Sequence, residues 1–173
     1  MKTLNIYFTN RIVVGNLGRL LKKLMESTDN GYTQINVILA SSGGKISDAL
    51  LFYKHFKKIN FKEEICVYNA CNVASAAVVV YLAFPKRYII DNSYFMIHSA
   101  RNETTGAIDQ TAIQLNQDTG VIVDAESNID IPKYTAIVNS GIDKYFDVAE
   151  SILEGLCHHI ATAYPNHDDS FFI

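Results

Sequence analysis

The sequence predicts an α/β fold with a mainly parallel sheet, and three observations carry that expectation. Short apolar segments of strand length alternate with longer segments of helical period along the chain. One strand segment, "INVILA", is apolar almost without interruption, as strands covered on both faces are. The strand segments end in short clusters of Ser, Gly, Asn or Asp, which turn the chain into the next helix.

The elements follow in order. "LNIYFT" reads as the first strand. "NLGRLLKKLME" reads as a helix with Asn16 as N-cap and Leu17, Leu20, Leu21 and Leu24 on one face. "INVILA" is the second strand and runs into "SSGG", where a glycine pair lets backbone N–H groups approach a ligand closely or simply makes a tight turn. "ISDALLFYKHFKKI" is the helix after it. "EICVYN" is a strand, "CNVA" a short turn, and "SAAVVVYLA" an apolar helix that opens at Ser75.

A serine there is either a helix cap, stabilising by about 1 kcal/mol, or a nucleophile whose developing charge the helix N-terminus and the Ala76 N–H favour. The G-x-S-x-G elbow of α/β-hydrolases is absent, because Val73 and Ala77 replace its glycines. "YII", a turn "DNS" and the strand "YFMIHSA" follow, which places His98 at a strand end. A histidine there is a core or edge residue unless it reaches a hydroxyl, in which case it can act as general base. "QTAIQLNQDTGVIVDAE" reads as a helix that ends before Pro132, where a new one starts.

Length and composition bound the rest. A chain of 173 residues, 49% of them hydrophobic, is one ordinary domain, read as 1–163 with a polar tail at 164–173. A net charge of -3 gives no footprint for nucleic acid. No apolar run reaches the roughly 18 residues that span a bilayer, and the first residues lack a signal-peptide pattern, so the expectation is a cytoplasmic protein without a membrane partner. Cys66, Cys71 and Cys157 suit neither a disulfide framework nor a metal knuckle. His158 and His159 are adjacent, a spacing that flanks a helix end and holds no metal, so no metal or cofactor is expected.

The glycine pair, the serine and the histidine stand in an order and spacing that resemble the Clp protease proteolytic subunit family. "INVILASSGG", "CNVAS", "DNSYFMIHSARNETTG" and "DKYFDVAESILEGL" carry the resemblance, from about residue 4 to 160. It implies a Clp/crotonase-type fold of stacked ββα units with a helical handle insertion. It also implies a Ser-His-Asp triad of Ser75, His98 and Asp143, with Asp91 and Asp147 as acidic alternatives that read otherwise as turn former and helix cap. The N–H groups of Gly44 and Ala76 would then form the oxyanion hole. The implied activity is serine endopeptidase cleavage of peptides or unfolded proteins, in a homo-oligomer, as a ring or a smaller assembly.

The sequence departs from that family at several points. "SSGG" lacks the usual proline, and Cys71 stands where glycine is usual, which sets up an expectation of a strained backbone at Cys71. "ARNETTG" alters the segment after His98, and the handle region is shorter. The chain begins close to the first core strand, so the gating N-terminal segment is missing, and that argues against docking to an AAA+ unfoldase. Two other readings share the fold: a non-catalytic or regulatory structural paralogue, and a crotonase-like acyl-CoA enzyme working through carboxylates. Glu63, Glu64 and Glu103 are the carboxylates in question and read more simply as solvated charges.

Overall fold

The structure is a computed structural model that describes residues 2–102 and 104–173. Strand β1 (Thr3–Phe8) leads to helix α1 (Val14–Asp29), then β2 (Gln34–Ser41), α2 (Ile46–Phe56), β3 (Glu64–Ala74) and α3 (Ala76–Leu82). β4 (Lys86–Ile90) and β5 (Tyr94–Ile97) precede two helices, α4 (Gln110–Glu126) and α5 (Ile131–Asn139). β6 (Lys144–Phe146), α6 (Val148–Leu153), β7 (His159–Ala161) and β8 (Asp169–Phe172) complete the chain.

The strands form one sheet in the order β6, β5, β3, β2, β1, β8, with β4 pairing with β3 and with β7. All pairs are parallel except β5 with β6, so the mainly parallel α/β architecture expected from the sequence is what the structure has. β3 is long because two neighbours share one of its edges: Cys66 to Asn69 pair with β4, and Asn72 to Ala74 pair with β5.

Alternation sorts the side chains. Leu4, Ile6 and Phe8 of β1, Ile35, Val37 and Leu39 of β2, and Ile65 and Val67 of β3 join the helices in one core. Ile38, Cys66 and Tyr68 point to the opposite face, where Tyr68 stacks on Tyr88 with ring centroids 4.6 Å apart. At roughly 25 cal/mol per Å² of apolar surface removed from water, this core is the main source of stability.

Three local expectations need correction. α1 begins at Val14 with Val13 as N-cap, not at Asn16, because the Asp48 carboxylate of α2 accepts from the Val14 N–H at 2.8 Å and supplies the cap from another element. Asn16 instead donates its amide to the Arg11 carbonyl at 2.9 Å. "CNVA" is not a turn but the end of β3, held by its pairing with β5. Residues 164–173, set apart as a tail, cross the second face of the sheet, where Asn5 donates to the Pro165 carbonyl, and then add β8 to β1 in parallel.

Candidate active site

Register brings the candidate residues together. β3 and β5 run parallel with Ala74 opposite Met96, and the Ser75 N–H donates to the Met96 carbonyl at 2.8 Å, so Ser75 leaves β3 beside the end of β5. β5 and β6 are antiparallel with Ile97 opposite Lys144, so the next residues outward, His98 and Asp143, face each other across the strand ends. The sequence separations are large, but each residue stands one step beyond a paired strand.

The resulting distances are short. His98 Nε2 lies 2.7 Å from Ser75 Oγ. His98 Nδ1 lies 3.4 Å from Asp143 Oδ1, longer than the ~2.7–2.9 Å of a charge-assisted hydrogen bond. The His98 side chain is 34% exposed and that of Asp143 48%, so Asp143 lies at the rim. The acidic alternatives lie elsewhere in their bland roles: Asp147 caps α6 in a capping box with Glu150, and Asp91 sits in the turn after β4.

Ser75 has backbone φ 55 and ψ -127, a conformation that L-residues rarely hold and that costs about 1–3 kcal/mol. Its side chain makes no cap bond to α3. The strain therefore falls on Ser75 itself; Cys71, where the sequence led one to expect it, is an extended β3 residue and not among the positive-φ positions. A reversal at Ser75 turns the chain from β3 into α3 and leaves the hydroxyl pointing at His98.

Gly43 and Gly44 pass under this turn with φ 97 and 153. Gly44 stands opposite Ile12 in an isolated parallel bridge, in which Ile12 donates to the Gly43 carbonyl and accepts from Lys45 N–H. In such a bridge the N–H of the opposed residue points away from its partner, so the Gly44 N–H is directed off the Ile12 side. Ala76 is the first residue of α3, and its N–H has no intrahelical acceptor. Gly44, Ser75, Ala76 and His98 all line one cavity of about 520 Å³.

Two groups that shape this cavity were not singled out in the sequence. Asn116 of α4 accepts the Ala100 N–H at 2.8 Å and donates to Ser99 Oγ at 3.0 Å, which fixes the chain just after His98. Asp109 caps α4 by accepting from Ala112 N–H, and that bond, followed by one from Asn102, holds its carboxyl below the usual range. A polar residue in the middle of an otherwise amphipathic helix was the available signal for Asn116. Among the described residues no three His, Cys, Asp or Glu side chains converge on a metal position. No described helix is long and apolar enough to cross a membrane. Glu64 opens β3 at its far end, roughly 36 Å from Ser75 at ~3.3 Å per residue, with Glu63 just before it, and Glu103 lies outside the described residues.

Known proteins agree with this architecture. ClpP1 from Listeria monocytogenes superposes with a TM-score of 0.75 at 21% identity, over 94% of this chain and 92% of that one. A point mutant of that ClpP1 gives 0.77 at the same identity and coverage. The catalytic domain of the ClpP protease from Plasmodium falciparum gives 0.75 at 21% identity, over 95% of this chain and 88% of that one. These likenesses show the Clp/crotonase-type fold. No curated protein matches the sequence. The family model described as Clp protease matches residues 2–163, nearly the whole chain, and on that match the chain belongs to the Clp protease family.

Proposed function

We propose that the protein is a serine endopeptidase of the Clp type that cleaves peptides or unfolded proteins through Ser75, His98 and Asp143. The observation that carries this reading is the 2.7 Å approach of His98 Nε2 to the hydroxyl of Ser75, itself held at φ 55. A hydroxyl capping its own helix has no need of either.

The chemistry then follows the geometry. His98 Nε2 accepts the Ser75 proton as Oγ attacks the substrate carbonyl carbon, and the other ring nitrogen carries its proton toward Asp143. The oxyanion formed is taken by the N–H groups of Gly44 and Ala76, a kind of contact whose loss raises barriers by about 3 kcal/mol. His98 returns the proton to the leaving amine, an acyl-enzyme remains on Ser75, and water activated by the same imidazole releases the acid.

The protein works as a homo-oligomer. Ile113 and Val121 of α4 are 40% and 58% exposed on the helix that corresponds to the handle, and they supply apolar surface for a second copy. The compartment is cytoplasmic and reducing, as three unpaired cysteines suit. One observation favours a second reading, a regulatory paralogue without turnover: His98 and Asp143 stand too far apart for a hydrogen bond.

Covalent labelling with a fluorophosphonate, read by intact mass, decides between them. One adduct on the native chain that is lost in both Ser75→Ala and His98→Ala is the expected result. A native chain that takes no label in any oligomeric fraction leaves the regulatory reading standing and ends the peptidase one.

A further inference from the structure

The cavity at Ser75 is more cationic than the chain around it. The chain carries 18 Asp and Glu against 15 Lys and Arg, so composition alone would give a cavity at least as many carboxylates as cations. Among the described residues the reverse holds: Arg11, Lys45 and Arg101 line the cavity, and Asp109 is the one carboxylate that does.

The three cations are exposed, and none has a carboxylate partner among the described residues. Asp109, by contrast, is engaged at both oxygens: Oδ1 accepts from the Ala112 N–H at 2.9 Å and Oδ2 from the Asn102 amide at 2.7 Å. Asp48 accepts from the Val14 N–H and Asp143 faces His98, and neither lines the cavity.

The backbone fixes where these cations stand. Arg11 and Lys45 flank the bridge between Ile12 and Gly44, one residue before Ile12 and one after Gly44. Arg101 follows His98 by three residues, between Ala100, whose N–H donates to Asn116, and Asn102, whose amide donates to Asp109. Cations therefore reach the cavity both from the segment of Gly44 and from the segment after His98. Val78, Ile97 and Val123, all buried, belong to the same lining. Apolar walls focus the field of like charges in a cleft and speed the entry of a counter-charged ligand by about 10-fold or more. A neutral peptide gains nothing from that field, and a basic one is repelled.

We propose that this site selects acidic peptide segments, with aspartate or glutamate on the residues flanking the bond whose carbonyl Ser75 attacks, and that Arg11 and Lys45 attract them. The assignment rests on the reading of Ser75 as nucleophile, so it is tested with and without turnover. Internally quenched peptides, acetylated and amidated so that their termini carry no charge, hold Glu, Gln or Lys at the two positions on each side of an invariant leucine. They are offered to the native protein for hydrolysis and, in parallel, titrated onto the Ser75→Ala protein. In both series Glu is favoured over Gln by about tenfold in dilute buffer, and Lys is the poorest. The Glu-to-Gln ratio falls toward one at about 1 M salt, where the Debye length is roughly 3 Å. Arg11→Glu combined with Lys45→Glu reverses the order and makes the Lys peptide the best, an inversion that lost packing alone does not produce.

The outcomes separate the two readings. Tighter binding of the Glu peptide to Ser75→Ala, with no turnover by the native protein, upholds the acidic preference and removes the peptidase. Hydrolysis in which Gln equals or exceeds Glu, or a Glu preference indifferent to salt and to the charge reversal, overturns the preference and keeps the peptidase. Peptides that are neither bound nor cut overturn the preference as well.

Discussion

Gly43 and Ser75 meet across a space with no room for a methyl group: an ideal Cβ on Gly43 would stand 2.8 Å from Ser75 Cβ and 2.7 Å from the Ala74 carbonyl oxygen. Both atoms belong to the turn that aims the hydroxyl, and neither is the far end of a flexible side chain. Gly43 also has φ 97, where an L-residue is strained. Gly43→Ala is expected to cost about 1–3 kcal/mol of stability and to slow fluorophosphonate labelling. Urea unfolding and a labelling time course measure the two effects, and an unchanged midpoint would contradict the contact.

The strain at Ser75 predicts an inversion of the usual order of substitutions. Ser75→Gly and Ser75→Ala both remove the hydroxyl, but only glycine adopts φ 55 and ψ -127 without steric cost. Ser75→Gly is expected to be more stable than Ser75→Ala by about 1 kcal/mol, which thermal melts of the two variants resolve. Equal melting temperatures would mean that the turn relaxes when the side chain is shortened.

Asp143 and Asp147 are four positions apart and should fail differently. Asp143→Asn removes the negative charge 3.4 Å from His98 Nδ1 and is expected to slow labelling by roughly tenfold, the equivalent of about 1.4 kcal/mol. Asp147→Ala removes the carboxylate that accepts from the Glu150 N–H, while the residue-147 N–H still donates to the Glu150 side chain, and is expected to cost about 1 kcal/mol of stability. The reverse pattern would reassign the acid.

β8 gives a pH signature. Asp169 accepts from the Tyr32 hydroxyl at 2.6 Å and pairs with Lys2 at 3.3 Å, and these partners, Tyr32 first, depress its pKa. A carboxylate with a depressed folded-state pKa stabilises fully above its unfolded value of about 3.9 and loses that contribution as pH falls through the folded value. The melting-temperature gap between the native chain and Asp169→Asn is therefore expected in full at pH 6 and to shrink as pH falls below about 3.9. A gap that does not change between pH 6 and pH 2 would show that the carboxylate charge plays no part.

The thiols divide by burial. Desolvation pushes both Cys66 and Cys157 up to about 12, so at pH 8 both are protonated and buried, while Cys71 is exposed on β3. Iodoacetamide at pH 8 is expected to give one adduct, mapped to Cys71 by peptide mass, and all three only in denaturant.

Much of this architecture was legible because periodicity reports burial. "QTAIQLNQDTGVIVDAE" is α4 to the residue, and Pro132 lies in the first turn of α5 as its missing N–H allows. Ser75, His98 and Asp143 were legible as an ordered set of residue types, and the structure brings them together. What escaped was set by partners far away in sequence. Nothing in "CNVAS" says that β5 will extend β3 to Ala74, or that a serine will take a conformation usually left to glycine. The cap on α1 comes from Asp48, and the polar "DSFF" becomes a strand only because β1 offers an edge. Tyr134 was visible only as one residue of a short helix; its packing on Gly120 depends on how α5 crosses α4.

The pairing of β8 with β1 also bears on how the chain is made. Residues 3–8 leave the ribosome some 160 positions before the strand that covers their outer edge, since Leu4 pairs with Asp169 and Tyr7 with Phe172. At ~5–20 residues per second that is an interval of roughly 10 to 30 seconds during which a nascent β1 edge stays open. Over that interval it can take a strand from a neighbouring nascent chain in place of its own.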